Sequence, residues 1–219
     1  MKYKNGEYYE GNWQNNLKHG VGKIIYNNED KFCGSWVNDV KEGEGIYNYH
    51  NGNIFIGNWK NNIFISGKKK YNNGNEYDGM CRDNINEGEG TMKYSNGDKY
   101  KGLWKNNLKD GKGLMEYNNL DIYNGNWKED KKDGYGRMKY SNQDYYKGNW
   151  KNDLKNNYGI MKYKNDDKYE GIWKNDLKEG KGKMIYKNGD EYDGDWKEDK
   201  KMDMGYLIIE MVINMKEIL

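Results

Sequence analysis

The sequence predicts an all-β fold, an extended meander of about nine 23-residue β-hairpin repeats. Three observations carry this. Trp recurs on a fixed period, Gly-x-Gly pairs recur in the same register, and the chain is polar yet rich in aromatic side chains. Only 34% of its residues are hydrophobic, which is a composition typical of disorder, but 15% are aromatic, which disordered chains lack. A fold built on aromatic rings in place of an aliphatic core reconciles the two.

The Trp column comes first. Trp stands at 13, 36, 59, 104, 127, 150, 173 and 196. The long step from Trp59 to Trp104 holds one further copy, Tyr77-Asp78-Gly79-Met80-Cys81, in which Cys81 takes the Trp place. A one-residue deletion near Ser66 accounts for the shorter step before it. Each copy reads Tyr-x-Gly-x-Trp. Examples are Tyr9, Gly11 and Trp13; Tyr100, Gly102 and Trp104; Tyr123, Gly125 and Trp127; Tyr146, Gly148 and Trp150; Tyr169, Gly171 and Trp173; Tyr192, Gly194 and Trp196. Phe32 and Phe55 open the copies that end in Trp36 and Trp59.

The second element is a Gly-x-Gly-x-x-x-Tyr strand, as in Gly88, Gly90 and Tyr94. Three residues after that Tyr an Asn-Gly step marks a turn at Gly52, Gly74, Gly97 and Gly189, because both residues tolerate positive φ. Glu29, Leu120, Gln143 and Asp166 fill the same place elsewhere and make less ideal turns. Side-chain alternation puts Gly88, Gly90, Met92 and Tyr94 on one side, and Tyr100, Gly102 and Trp104 on one side of the next strand. One apolar face then requires an odd-numbered loop. The expected geometry is Tyr94 opposite Tyr100, around a three-residue loop centred on Asn96-Gly97-Asp98 or a five-residue one. Gly in a strand is costly alone. Beside a large ring it gives the ring room, so Trp over Gly is expected in every copy. Aliphatic residues four places after Trp, Leu17 and Leu108 among them, are expected to fold the inter-hairpin loop onto the same surface.

Function classes are excluded in turn. Net charge is +2 with the two signs interspersed, unlike the basic stripe of a nucleic-acid binder. The Gly-x-Gly pairs sit at strand positions and lack the context of a phosphate loop. His19 and His50 fall in different parts of different repeats, and the carboxylates follow the period. Catalytic, cofactor-binding and metal residues are therefore expected to be none. The two cysteines, Cys33 and Cys81, form no CxxC, no signal-peptide core opens the chain, and no apolar run reaches a membrane span, so a cytoplasmic location is expected. In Lys128-Glu129-Asp130-Lys131-Lys132 acids dilute the bases, which leaves only a weak anionic lipid contact.

Tyr-x-Gly-x-Trp followed by Gly-x-Gly on this period resembles the MORN (membrane occupation and recognition nexus) repeat family. The resemblance covers residues 1–209 and implies an elongated, twisted meander of hairpins. It implies a non-enzymatic scaffold for protein–protein interaction in a cytoskeletal or membrane-associated assembly. The alternative is the targeting or regulatory array of a phosphatidylinositol phosphate kinase-like or lysine methyltransferase-like protein, or a phosphoinositide-binding module. The Asn- and Lys-rich bias suits an A/T-rich genome, and together with the family points to a protist such as an apicomplexan. At about 4.8 Å per strand the array is expected to be about 85 Å long. Residues 210–219 are the most apolar stretch, expected to be a short cap, helical in spacing, or an oligomer contact. The ring columns are the structural face and the candidate partner face. The expected partners are proteins, including a second copy through the C-terminal repeats. The copy around Ile63–Cys81, short of a Trp ring, is expected to be the weak point.

Overall fold

The computed structural model describes residues 1–202 and the backbone of 206–208. The expected cap at 210–219 lies outside the described residues. Two compact units divide the chain, Met1–Asn118 and Asn119–Leu219. The first holds β1 (Tyr8–Gln14), β2 (Leu17–Ile25), β3 (Lys31–Val37), β4 (Val40–Asn48), β5 (Ile54–Lys60), β6 (Ile63–Lys70), β7 (Glu76–Arg82), β8 (Ile85–Lys93), β9 (Lys99–Lys105) and β10 (Leu108–Glu116). Each pairs antiparallel with the next. The second holds β11 (Ile122–Lys128), β12 (Lys131–Lys139), β13 (Tyr145–Lys151), β14 (Leu154–Lys162), β15 (Lys168–Lys174), β16 (Leu177–Ile185), β17 (Glu191–Lys197), β18 (Lys200–Lys201) and β19 (Tyr206–Ile208). Here too neighbours pair antiparallel, and β18 and β19 both pair with β17. The fold is all-β, as the repeats predict.

Two kinds of turn alternate. The first is the odd-numbered loop. The Tyr94 N–H donates to the Asp98 carbonyl (2.9 Å) and the Gly97 N–H to the Tyr94 carbonyl (3.0 Å), which closes a three-residue loop, Ser95-Asn96-Gly97. Loop parity is as expected, but the register is corrected: Met92 faces Tyr100, and Tyr94 sits at the loop mouth opposite Asp98. The third loop residue has positive φ in every copy, +93° at Gly97 and still +71° at Leu120.

The second turn joins the Trp strand to the following Gly strand. It is a two-residue turn with both φ positive, such as Asn15 (51°) and Asn16 (62°) or Asn152 (47°) and Asp153 (71°). Those angles define the type I′ hairpin turn, whose twist matches that of the strands. The Leu17 column is corrected accordingly. Leu17, Leu108 and Leu177 begin their strands beside this turn and are exposed, so they fold no loop onto the core.

The two glycines of Gly-x-Gly have separate causes. Gly11 pairs with Gly22, but Trp13 pairs with Lys18, so the Gly strand bulges between them. Gly134 occupies such a bulge at φ +96°, and Asn157, with φ +63°, takes its place one copy later. Asn is the residue after Gly that best tolerates this region.

Candidate functional site

The second glycine lies against a ring, and the ring is Tyr. A Cβ on Gly159 would stand 2.2 Å from the Tyr146 hydroxyl, and one on Gly148 would stand 2.5 Å from the Gly159 Cα. The expectation of Trp over Gly is therefore corrected to Tyr over a Gly–Gly pair. The Tyr hydroxyl then passes the glycines and donates to a backbone carbonyl, Tyr146 to Asn149 (3.0 Å) and Tyr169 to Ile172 (2.9 Å). The buried hydroxyl is thus satisfied.

Trp150, Trp173 and Trp196 each stand edge-on to the Tyr of their own copy and to that of the copy before. Tyr146 meets Trp150 at 5.1 Å and Trp173 at 5.6 Å, with planes 86° and 88° apart. Edge-to-face geometry of this kind contributes about 0.5–1.5 kcal/mol per pair beyond area burial. The Trp indole reaches back across one copy: Trp36 donates to the Gly22 carbonyl (3.1 Å) and Trp196 to that of Gly182 (2.9 Å).

Of the residues singled out in the sequence, Tyr9, Tyr100, Tyr123, Tyr146, Tyr169 and Tyr192 are buried. So are Trp36, Trp59, Trp104, Trp127, Trp150, Trp173 and Trp196, whereas Trp13 is 41% exposed. Gly102, Gly125 and Gly171 lie under rings as Gly11 and Gly148 do, and Gly194 pairs with Gly182. Apart from Trp13, the rings of these columns close over one another.

A lysine column, invisible as a motif among so many lysines, completes that face. Lys155 holds its ammonium 4.4 Å from the Trp173 ring and 5.8 Å from Tyr146. Lys18, Lys41, Lys132 and Lys178 repeat the arrangement. The stems cover the rings while the charge stacks on them. Burial holds the Lys155 ammonium below the usual lysine range, against the pull of Asp176. Backbone contacts lock the same residues. The Lys18 N–H donates to Asp39 Oδ1 (2.9 Å), and the Asp39 N–H donates to the Lys18 carbonyl (2.9 Å).

The copy with Cys81 is rebuilt rather than empty. Phe64 and Asn86 stand where the lysine column would run, and Lys69 stands in the column that elsewhere carries Met92, Met115 or Met138. Lys69 is 1% exposed. Its ammonium donates to the Asn84 carbonyl (2.6 Å) and Asn86 Oδ1 (2.8 Å), within 6 Å of the Phe55, Phe64 and Tyr77 rings. Burial lowers the Lys69 pKa and raises that of the Cys81 thiol.

A second polar cluster surrounds Asp30. Tyr47 Oη donates to Asp30 (2.9 Å), the His50 N–H donates at 2.7 Å, and the His50 ring lies at 2.9 Å. Burial pushes the Asp30 carboxyl up, but these hydrogen bonds outweigh it and hold it below the usual range. Among the described residues no group of three His, Cys, Asp or Glu side chains could hold a metal ion.

The opposite, outer face is where side chains stay exposed. In the first unit it carries Val21, Ile46, Ile56, Ile65, Met80 and Leu103. Ile46 pairs directly with Ile56, and Met80 with Ser66. Ile65, Met80 and Cys81 line a shallow open depression flanked by Lys60 and Arg82. In the second unit Tyr135 and Tyr158 occupy the middle of Gly-x-Gly or its variant and project outward.

The MORN repeat family model matches residues 9–31, 32–54, 77–99, 100–122, 123–145, 146–168, 169–191 and 192–202. It leaves residues 55–76 unmatched and does match the copy that opens at Tyr77 and carries Cys81. Among solved structures, the chain is similar to the wild-type TCP10 domain of Danio rerio CPAP in complex with a peptide of Danio rerio STIL. That likeness has a TM-score of 0.53 at 12% identity and covers 95% of this chain and 90% of that one. The same wild-type domain described without the peptide gives a TM-score of 0.51 at 12% identity, over 95% and 96% of the two chains. At such identity the likeness is one of fold. A search of curated proteins finds no match.

Proposed function

This chain belongs to the MORN repeat family, and on that premise we propose that it is a non-enzymatic scaffold that holds protein partners in a cytoskeletal or membrane-associated assembly. The observation that carries this reading is the division of labour between the two faces. The ring face is consumed by its own Tyr, Trp and Lys side chains, while the outer face of the first unit keeps Ile46, Ile56, Met80 and Leu103 exposed. Exposed apolar side chains that share a rigid sheet face suit a protein partner. That the similar TCP10 domain is described with a peptide supports an extended protein segment as the bound form. In this reading the protein works in the cytoplasm, peripheral to membrane or cytoskeleton, and a second copy is one of its partners through the C-terminal repeats. The stacked lysines lend little to lipid binding, since their charges lie over rings.

Proximity labelling in the source cell tests this, with the wild type beside a Met80→Lys/Leu103→Lys variant. The expected result is a defined set of protein neighbours that the variant loses while its circular dichroism is unchanged. Neighbours unaffected by the variant, or flotation of wild type and variant alike with phosphoinositide vesicles, would count against the outer face.

A further inference from the structure

We propose that the outer face of β12–β15 docks an acidic, extended segment of a protein partner. This surface lies within the second unit and does not depend on the apolar outer face of the first.

Register brings the surface together. Arg137 pairs directly with Lys147, and Tyr145 stands between Lys139 and Lys162. Side-chain alternation puts these residues on the face opposite Met138, Tyr146 and Met161, which are buried. The cluster is hidden in the sequence because its members belong to different strands. Among the described residues no carboxylate pairs with Arg137, Lys139, Lys147 or Lys162. Like charges directly opposite one another destabilise a strand pair, so the fold keeps Arg137 and Lys147 together at a cost.

The adjoining strands answer the same charge differently. On β16 and β17 Lys181 pairs with Asp195 (2.9 Å) and Lys183 with Glu191 (2.7 Å). On β15 Glu170 is already engaged, by Lys168 Nζ at 2.6 Å and by the Tyr158 hydroxyl. Those bonds, Lys168 first, hold its carboxyl below the usual range, and Lys147 adds only a weaker pull. The cations of β12–β14 therefore stand uncompensated, and carboxylates from outside would meet them.

Two features choose the occupant. Tyr135 and Tyr158 stay exposed at the border of the cations, on either side of Asn149, whose Nδ2 donates to the Tyr158 carbonyl (3.1 Å). Arg beside exposed Tyr is the composition of a protein-binding surface. The charge is also bounded. At about 4.8 Å per strand the cations span about 10 Å. Across the sheet the row of Arg137 and Lys147 continues through Ile160 to Glu170, then through Lys183 to Asp193. A bilayer or a nucleic-acid strand would carry its own charge onto those carboxylates, whereas a short acidic segment ends before them. An extended chain turns alternate side chains to one side about every 7 Å, the step from Arg137 to Lys139 along β12.

Fluorescence anisotropy on the full chain tests this, with a labelled peptide of alternating Glu and Ser as the probe. The wild type should bind it, less tightly as salt is raised. The deciding variant is Arg137→Glu, which turns the like-charge pair into an opposite-charge one. Its urea midpoint should rise slightly while its affinity for the peptide falls about ten-fold. A misfolded variant could not do both. Lys181→Glu makes the same charge change on β16, more than a screening length away at about 0.1 M salt, and should cost less than about two-fold. The proposal is overturned if the wild type does not bind the peptide, or if Arg137→Glu costs no more affinity than Lys181→Glu. It is also overturned if, at matched charge concentration, a thymidine oligonucleotide or phosphatidylserine vesicles bind more tightly than the peptide. That last result would assign the cations to a polyanion.

Discussion

Two stretches of this chain solve the same packing problem with different chemistry. The copies that open with Tyr146 and Tyr169 carry Tyr over a Gly–Gly pair, Trp edge-on to Tyr, and Lys over Trp. From Phe55 to Asn86 one Trp of two, both column lysines and one residue of length are gone, yet the strands still pair without a break. There Phe64 meets Trp59 at 5.3 Å, and Lys69 fills the remaining space with a hydrogen-bonded ammonium. The backbone ladder and its turns therefore set the fold, and the rings are one of two fillings it accepts.

The regular stretch breaks hardest at its glycines. Gly148→Ala would place a methyl 2.5 Å from the Gly159 Cα, which is backbone and cannot swing away. A cost of about 3 kcal/mol is expected, at the upper end for overpacking, read as a lowered urea midpoint. A loss of under about 1 kcal/mol, below the overpacking range, would mean that the strands spread freely and that ring-over-glycine packing does not set their spacing.

In the rebuilt stretch the corresponding lever is Lys69→Met, which restores the residue type of the other copies. It leaves the Asn84 carbonyl and the Asn86 side chain without their donor beside an unfilled ring site. The expected cost is about 2 kcal/mol. The triple variant Lys69→Met/Cys81→Trp/Asn86→Lys should recover part of that loss, because it restores the missing ring and one of the two column lysines while Phe64 keeps the other place. Thermal melts that show the single and triple variants equally destabilised would refute the compensation. Coupling among neighbours of this kind is non-additive by nature.

The period, the hairpins and the side-chain faces were legible because each depends on spacing alone. Loop parity was legible from the requirement of one apolar face, but the register was not, since it turns on Tyr94 sitting at the loop mouth. The type I′ turns hid because Asn15-Asn16 and Glu129-Asp130 carry no Gly and read as solvated linkers. A second signal was available: Asn157 in place of the first Gly points to positive φ there, not to close contact. The lysine column was masked by the abundance of Lys, and only three-dimensional stacking separates Lys155 from its exposed neighbours. The weak point expected around Ile63–Cys81 rested on the missing ring; that Lys69 within the same stretch is buried on Asn84 and Asn86 could not be read from its residue type.

Proton linkage sharpens the comparison further. Burial pushes Lys41 down from 10.5 to about 8, with the Asp30 charge opposing. Between those values the unfolded chain holds a proton that the folded chain lacks, so stability rises with pH. Tyr49 moves the other way, raised by burial from 10.0 to about 12. Above pH 10.0 the unfolded tyrosine loses a proton the folded one keeps, so stability falls. Urea midpoints should climb from about pH 8 to a maximum near 10.0 and then drop. Lys69 and Lys155 are lowered too, so Lys41→Met should shrink the rising limb without abolishing it and leave the falling limb intact. A variant with an unaltered rising limb would show that Lys41 stays charged in the fold.

The smallest difference lies inside the regular stretch, between Trp150 and Trp173. Both are buried, and their lysines sit at nearly equal distance, Lys132 at 4.5 Å and Lys155 at 4.4 Å. Both meet their own Tyr edge-on at 5.1 Å. They differ in one bond. The Trp173 indole N–H donates to the Gly159 carbonyl at 3.3 Å, whereas the buried Trp150 N–H has no acceptor. Nothing in the structure explains that omission. Replacing either ring by Phe removes the same kind of area and leaves a similar void, so the packing losses cancel in the comparison. The hydrogen bond does not cancel. Trp173→Phe leaves a carbonyl unpaired, while Trp150→Phe removes a buried donor that was already costing stability. Trp173→Phe should therefore destabilise by about 1 kcal/mol more than Trp150→Phe. Matched urea melts of the two variants measure the difference directly. Equal losses would mean that the Trp150 indole finds a partner in solution, by a small shift of its strand or through a bound water.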